Sequence, residues 1–478
     1  MGQEIHGERF SKRDFDAFRR RLEQETALLE SWFAEGRFSE RHSIGGFELE
    51  AWLVDGKNRP APVNDRLLPL LDEALVTPEL SRFNIELNST PRVLEGAVFD
   101  RMAEELEGNW RRCREAAARL GVDLVMTGIL PTVEESELTL ENMSGMVRYR
   151  ALNEQVLRLR AGRPLTLDIQ GIEHLHTQHR DVMLEAATTS FQIHLQLDQA
   201  RAARYFNAAV LLSGPMVAAT ANAPFLFGKR LWRETRIPLF ERAVDVGGME
   251  GAAFGPVKRV TFGTGYVRRS LFELFRENVE HYPVLLPAQL DAPVEELPHL
   301  RLHNGTIWRW NRPLVGFDED GTPHLRVEHR VVPAGPTVAD SIANAALFFG
   351  LVHALAGERE PPEQRLEFAA ARENLYAAAK HSLDARLTWL DGKNGNAAEL
   401  FRERLLPLAR RGLRDLAVNG ADIERYLGII EERVRTRQTG AEWQIRYLDR
   451  HGCDFNALVG AYRERQVRGR PVHEWGYE

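Results

Sequence analysis

Phe191-Gln192-Ile193-His194-Leu195-Gln196-Leu197-Asp198 alternates apolar and polar side chains without a break. A strand sends successive side chains to opposite faces, so this stretch has one greasy face and one face of amide, imidazole and carboxylate. Three other segments repeat the design: Phe47-Glu48-Leu49-Glu50, Ile85-Glu86-Leu87-Asn88 and Leu325-Arg326-Val327-Glu328-His329-Arg330. The wet face of an ordinary antiparallel sheet is also polar. Such faces favour Thr and Lys over Glu-x-Glu and Gln-x-His-x-Gln-x-Asp. The four segments therefore read as strands sharing a sheet with a crowded acidic face.

Crowding has an electrostatic consequence. Glu48 and Glu50, two residues apart on one face, have Cβ atoms roughly 6.5–7 Å apart. Two bare carboxylates at that separation repel by about 2 kcal/mol at an effective dielectric of about 20. Glu86 and Glu328 add to the repulsion. A divalent cation relieves it, and Mg²⁺ held by a few carboxylates commonly bridges to substrate phosphates. His194 and Gln192 can complete such a site. Arg330 lies on the Glu328 face and suits charge on a transferring phosphoryl group, and Arg236 is a second guanidinium candidate.

Around these strands, apolar spacing predicts helices over residues 11–35, 65–75, 97–119 and 202–219. Residues 122–126 read as a short strand and 145–171 as mixed helix and loop. Gly247 to Gly265 reads as a flexible surface loop without a Walker A pattern. Beyond Asp340 the chain turns helical, over 338–356, 366–390 and 397–469. Strands scattered among helices without regular alternation argue for α+β rather than a doubly wound parallel sheet. One face of the sheet carries the helices and the other is the polar cup. Pro361-Pro362 marks the linker, dividing residues 1–355, which include the N-terminal helix, from a helical region 356–478 packed on them.

With 478 residues and a formal charge of −7, the chain lacks the basic character of a nucleic-acid binder. No run of 18 apolar residues predicts a membrane span. The first residues lack the apolar block of a signal peptide, so a cytoplasmic protein is expected. Two cysteines, Cys113 and Cys453, build neither a disulfide framework nor a thiolate metal site. His174, His176 and His179 read as loop, outside the helical His-Glu-x-x-His context of zinc.

In their order along the chain, these motifs resemble the glutamate–cysteine ligase type 2 family of glutamine synthetase-like carboxylate–amine ligases. Gly46-Phe47-Glu48-Leu49-Glu50 is similar to that family's Gly-x-Glu-x-Glu strand. Ile85 to Pro91 resembles its Glu-x-x-Thr-Pro strand, and Gln192-Ile193-His194 its Gln-Val-His/Asn strand. Ala221-Asn222-Ala223-Pro224-Phe225, with Gly228 and Arg236 after it, resembles Ala-Asn-Ser-Pro-Phe. Val327-Glu328-His329-Arg330 resembles Glu-x-Arg, with His303 to Trp308 as the strand before it. Coverage runs from about residue 45 to 350.

The resemblance implies a sheet curved into an active-site cup, and ATP with Mg²⁺ or Mn²⁺. It implies glutamate or a similar amino acid activated as an acyl phosphate and joined to an amine. It makes Glu48, Glu50, Glu86, His194 and Glu328 metal ligands, and Arg330 and Arg236 the catalytic arginines. Arg148, Tyr149, Asn222 and Gln192 become substrate contacts. Partners are then small amino acids and amines, with no nucleic acid or membrane and with self-association open. The alternatives are a small-molecule phosphotransferase and a non-catalytic nucleotide-binding or scaffold relative.

Overall fold

The alternation in the four segments becomes real strands of one sheet. The computed structural model describes residues 5, 7, 9–71, 73–246 and 258–478. Among the described residues eight strands form the main sheet. They are β1 (Ile44–Val54), β2 (Val76–Pro78), β3 (Asn84–Asn88), β4 (Arg92–Val93), β5 (Asp123–Val125), β6 (Phe191–Leu197), β7 (Asn311–Phe317) and β8 (Pro323–His329). The spatial order is β7-β8-β6-β1-β3-β2, with β4 and β5 paired to the two ends of β1. Every one of these pairings is antiparallel. The fold is a curled antiparallel half-barrel with helices, of the α+β kind the strand pattern predicted.

The greasy face is sealed by two helices, α1 (Ala202–Thr220) and α2 (Val338–Ala356), both buried along nearly their whole length. Leu49, Ile85, Leu87, Phe191, Ile193, Leu325 and Val327 are all fully buried in that core. Each such side chain contributes about 1.5–3 kcal/mol relative to exposure. Gly45 shows how close α2 comes: a Cβ there would lie 2.6 Å from the Phe349 ring. Helix α2 is long and apolar enough to cross a membrane, but it lies inside the fold.

The helices after residue 356 share this core. Gly412, in helix Leu406–Asp415, abuts α2 so closely that an added Cβ would strike the Gly350 carbonyl oxygen. Arg433 donates to Asp340 at 2.7 Å and to Asn344 at 2.7 Å, with both ends of the ion pair fully buried. Tyr462 donates to the Met126 carbonyl at 2.9 Å, next to β5.

Several elements differ from the sequence expectation. The helix expected over 65–75 is limited to Asn64–Leu67 and a tight turn at Leu68–Leu70, because Pro69 has no N–H to continue it. Residues 366–390 are helical only to His381, and Arg386–Thr388 pairs with Asn394–Asn396 as a hairpin. The mixed region 145–171 resolves into a helix, Val147–Leu159, and a strand, Leu165–Gln170, paired with His174–His179. The histidine run is thus a strand, not a loop. Its partner strand strictly alternates buried and exposed residues. His303 lies on a helix, Pro298–Gly305, opened by Pro298 at its first position, and the expected strand shrinks to Trp308–Arg309. Of the loop expected over 247–265, residues 247–257 lie outside the described residues.

Candidate active site

Strand register decides which polar residues meet. Glu48 on β1 faces Gln192 on β6 and Asn88 on β3, while Glu50 faces Glu86. His194 faces Gly46 on one side and Glu328 on the other. Arg312, on β7, stands opposite Glu328. The polar face is therefore a row of charged side chains running across five strands.

Among the described residues two clusters form in that row. In the first, donor atoms of Glu48, His194 and Glu328 lie within 4.8 Å of one another. His194 Nε2 is 3.5 Å from Glu48 Oε1 and 3.6 Å from Glu328 Oε1. Both ring nitrogens are buried and, among the described residues, neither has a hydrogen-bond partner. Burial pushes the imidazole down to about 4, and nearby Arg326 acts in the same direction. The ring is neutral at pH 7 and keeps a lone pair for a ligand. Glu328 is buried too, which opposes its ionisation. Arg312 grips it through two bonds, of 2.8 and 2.9 Å, and Arg330 adds a third of 2.9 Å. These guanidiniums outweigh burial and hold the carboxyl well below the usual range.

The second cluster is Glu50, Glu79 and Glu86, again with donor atoms within 4.8 Å. Glu50 accepts from the Ser190 backbone N–H at 2.7 Å, the Ser190 hydroxyl at 2.8 Å and Gln192 at 2.9 Å. Glu86 accepts from Thr77 at 3.0 Å and Asn88 at 2.9 Å. Burial and the neighbouring Glu48 charge push Glu86 up to about 7. Burial and the charges of Glu86 and Glu50 raise Glu79 well above the usual range. Three carboxyls this close, one buried and two half-buried, are driven to share protons or a cation.

The remaining predicted residues fall in different places. Gln192 links the clusters, donating to Glu50 and accepting from Arg330. Arg148 and Tyr149 open the helix Val147–Leu159, where Arg148 stacks on the Tyr149 ring and donates to its hydroxyl at 2.7 Å. Burial and the Glu79 charge raise the Tyr149 phenol, so this pair sits beside the second cluster.

Arg236, expected as a second catalytic arginine, lines the same cavity as Glu50, Glu79 and Arg330, with its Nε paired to Glu234 at 3.3 Å. It is buried over the Trp310 ring and donates to the Val331 carbonyl at 2.5 Å and the Arg330 carbonyl at 3.3 Å. That geometry fixes the backbone carrying Arg330. Asn222 differs from the expectation of a substrate contact. Its amide donates to Ala334 and Tyr462 and accepts from Gln444, so it is saturated inside the joint with the C-terminal helices. The structure adds Glu79 and Arg312, which sequence reasoning missed.

The sheet is thus a curled antiparallel half-barrel with helices behind it and two acidic clusters on its open face. The chain belongs to glutamate–cysteine ligase family 2, whose family model matches residues 44–468. That match runs through the C-terminal helices, well past the stretch where motifs alone carried the resemblance. A Salinispora tropica protein provisionally named glutamate–cysteine ligase 2 is 30% identical over 196 residues. The matched stretch is 39% of this chain and 47% of that protein, so it spans about half of the relative's length. Glutamate–cysteine ligase from Francisella tularensis, solved in complex with AMP, superposes with a TM-score of 0.53 at 12% identity, covering 92% of this chain and 91% of that one. A bifunctional glutathione synthetase from Pasteurella multocida gives 0.50 at 11% identity, covering 93% of this chain and 55% of that one. At such identities these structures establish a shared fold.

Proposed function

We propose that this chain is an ATP- and Mg²⁺-dependent carboxylate–amine ligase that activates glutamate or a similar amino acid and joins it to an amine. In this reading the substrate carboxylate takes the terminal phosphoryl group of ATP, leaving ADP. The amine then attacks the acyl phosphate and phosphate departs. Family membership supports the reaction class, and the site's chemistry supports its cation dependence.

The bare imidazole nitrogens of His194, buried between Glu48 and Glu328, carry this reading. A buried ring with two unsatisfied nitrogens is costly unless a ligand meets one of them. Glu48, His194 and Glu328 would hold one divalent ion, and Glu50, Glu79 and Glu86 a second. All-oxygen ligands suit Mg²⁺, and one imidazole makes Mn²⁺ an equal candidate for the first. Bound there, divalent ions would neutralise triphosphate charge in a water-poor setting.

The chain's own residues do the rest. Arg330 supplies a fixed positive charge, oriented by Glu328 and Gln192 and by Arg236 behind its backbone. Arg312 keeps Glu328 ionised, so it remains a competent ligand. Arg148 and Tyr149 offer a cationic, aromatic edge for the amino-acid substrate beside the second cluster. Both cysteines are free, which suits a reducing cytoplasm. Incubation with ATP, Mg²⁺, L-glutamate and a panel of amines should release ADP and yield a new amide by mass spectrometry. ATP binding without ADP release for any pair would count against the proposal.

A further inference from the structure

Glu185 lies outside both cation clusters and outside every motif quoted above. It sits in the turn Met183–Ala187 that leads into β6, and it lines a small cavity with Glu50, Glu79, Arg236, Phe240 and Arg330. Among the described residues its carboxyl makes no hydrogen bond or ion pair, and Oε2 is sealed from solvent. Arg330 acts on it through charge without hydrogen-bonding to it, and its Nη1 is committed to Glu328 and Gln192. The Nε atom of Arg330, in the same cavity, is likewise buried and has no hydrogen-bond partner among the described residues, whereas that of Arg236 is paired with Glu234 at 3.3 Å.

An unpaired carboxyl in such a place is expensive, and the cost vanishes when a cation with N–H donors sits against it. A divalent ion at Glu50, Glu79 and Glu86 would leave Glu185 unmet, since it is not part of that cluster. The group it lacks is a compact donor of positive charge. A carboxylate beside that group would in turn meet the Nε–H of Arg330. Such a pairing of charges is the head of an amino acid.

Resting on the ligase reading above, we propose that Glu185 is a specificity-determining residue that pairs with the primary ammonium of a substrate. The ammonium has two sources, the amino acid whose carboxylate is activated and the amine that attacks it.

Calorimetry on the full chain, with Mg²⁺ and a non-hydrolysable ATP analogue, separates them. L-glutamate is compared with glutarate, and L-cysteine with 3-mercaptopropionate, in wild type and in Glu185→Gln. Wild type should prefer the amino form of at least one pair by about tenfold, equivalent to roughly 1.4 kcal/mol. Glu185→Gln should erase that preference while leaving the deaminated analogue's affinity unchanged, and Glu185→Asp should retain part of it. Loss confined to the glutamate pair assigns the ammonium to the activated acid, and loss confined to the cysteine pair assigns it to the acceptor. No amino preference in wild type, or a preference undiminished in Glu185→Gln, overturns the proposal. These affinities need no turnover, so a chain that binds amino acids but releases no ADP defeats the ligase reading while still deciding the role of Glu185.

Discussion

Replacing His194 by alanine isolates the first cluster with little structural cost. The imidazole makes no hydrogen bond among the described residues, so its loss removes mainly packing, about 1–2 kcal/mol. For a chain of 478 residues, the unfolding entropy near the midpoint is roughly 1 kcal/mol/K, so that cost lowers Tm by about 1–2 °C. Mn²⁺ at a hundred times its Kd should stabilise wild type by about 2.7 kcal/mol per site, or roughly 3 °C. Loss of one ligand that weakens binding by about 10–100-fold leaves only roughly 0.4–1.4 kcal/mol at the same Mn²⁺ concentration. The assay is a pair of thermal melts, in EDTA and in Mn²⁺, for each protein. The variant should melt close to wild type in EDTA and lose most of one site's Mn²⁺ shift. Equal Mn²⁺ shifts in the two proteins would refute the assignment of His194 as a ligand. A collapse in EDTA would recast it as structural.

Glu328→Gln should behave differently, because it strips Arg312 and Arg330 of a buried partner; a cost of about 3–5 kcal/mol is expected, read as a lower Tm even in EDTA. Stability should also fall in acid. Burial depresses His303 from 6.5 to about 4 in the fold, so its contribution is present above pH 6.5 and is lost as pH falls toward 4. That amounts to about 3 kcal/mol, and His303→Gln should flatten this part of a Tm-against-pH profile. Gly412→Ala should destabilise by about 1–3 kcal/mol in denaturant titration, since its Cβ has no room beside the Gly350 carbonyl. A Gly412→Ala midpoint equal to wild type would mean that this helix crossing is looser than described.

Much of the sheet was legible because alternation is a local signal. Glu48, Glu50, Glu86, His194 and Glu328 announce themselves by period two, and all five reach the open face. Their partition into clusters was not legible, since it depends on register. Only pairing reveals that Glu50 meets Glu86 while His194 meets Glu328. Arg312 was hidden for another reason. Its strand contains Pro313, which argues against a central strand, but β7 is an edge strand where a missing N–H is tolerated. Glu79 follows β2 in a stretch without periodicity, so nothing in the sequence singles it out. Asn222 shows the opposite failure. Its motif suggested a substrate contact, yet its amide is saturated by Ala334, Tyr462 and Gln444. The last two come from C-terminal helices whose arrival at that point no local pattern could announce.

The most direct measurement is anomalous diffraction from crystals soaked with Mn²⁺ and a non-hydrolysable ATP analogue. Peaks bonded to Glu48, His194 and Glu328 and to Glu50, Glu79 and Glu86, with the triphosphate against them, are the predicted result. A nucleotide bound elsewhere, or no manganese at either group, would contradict the account.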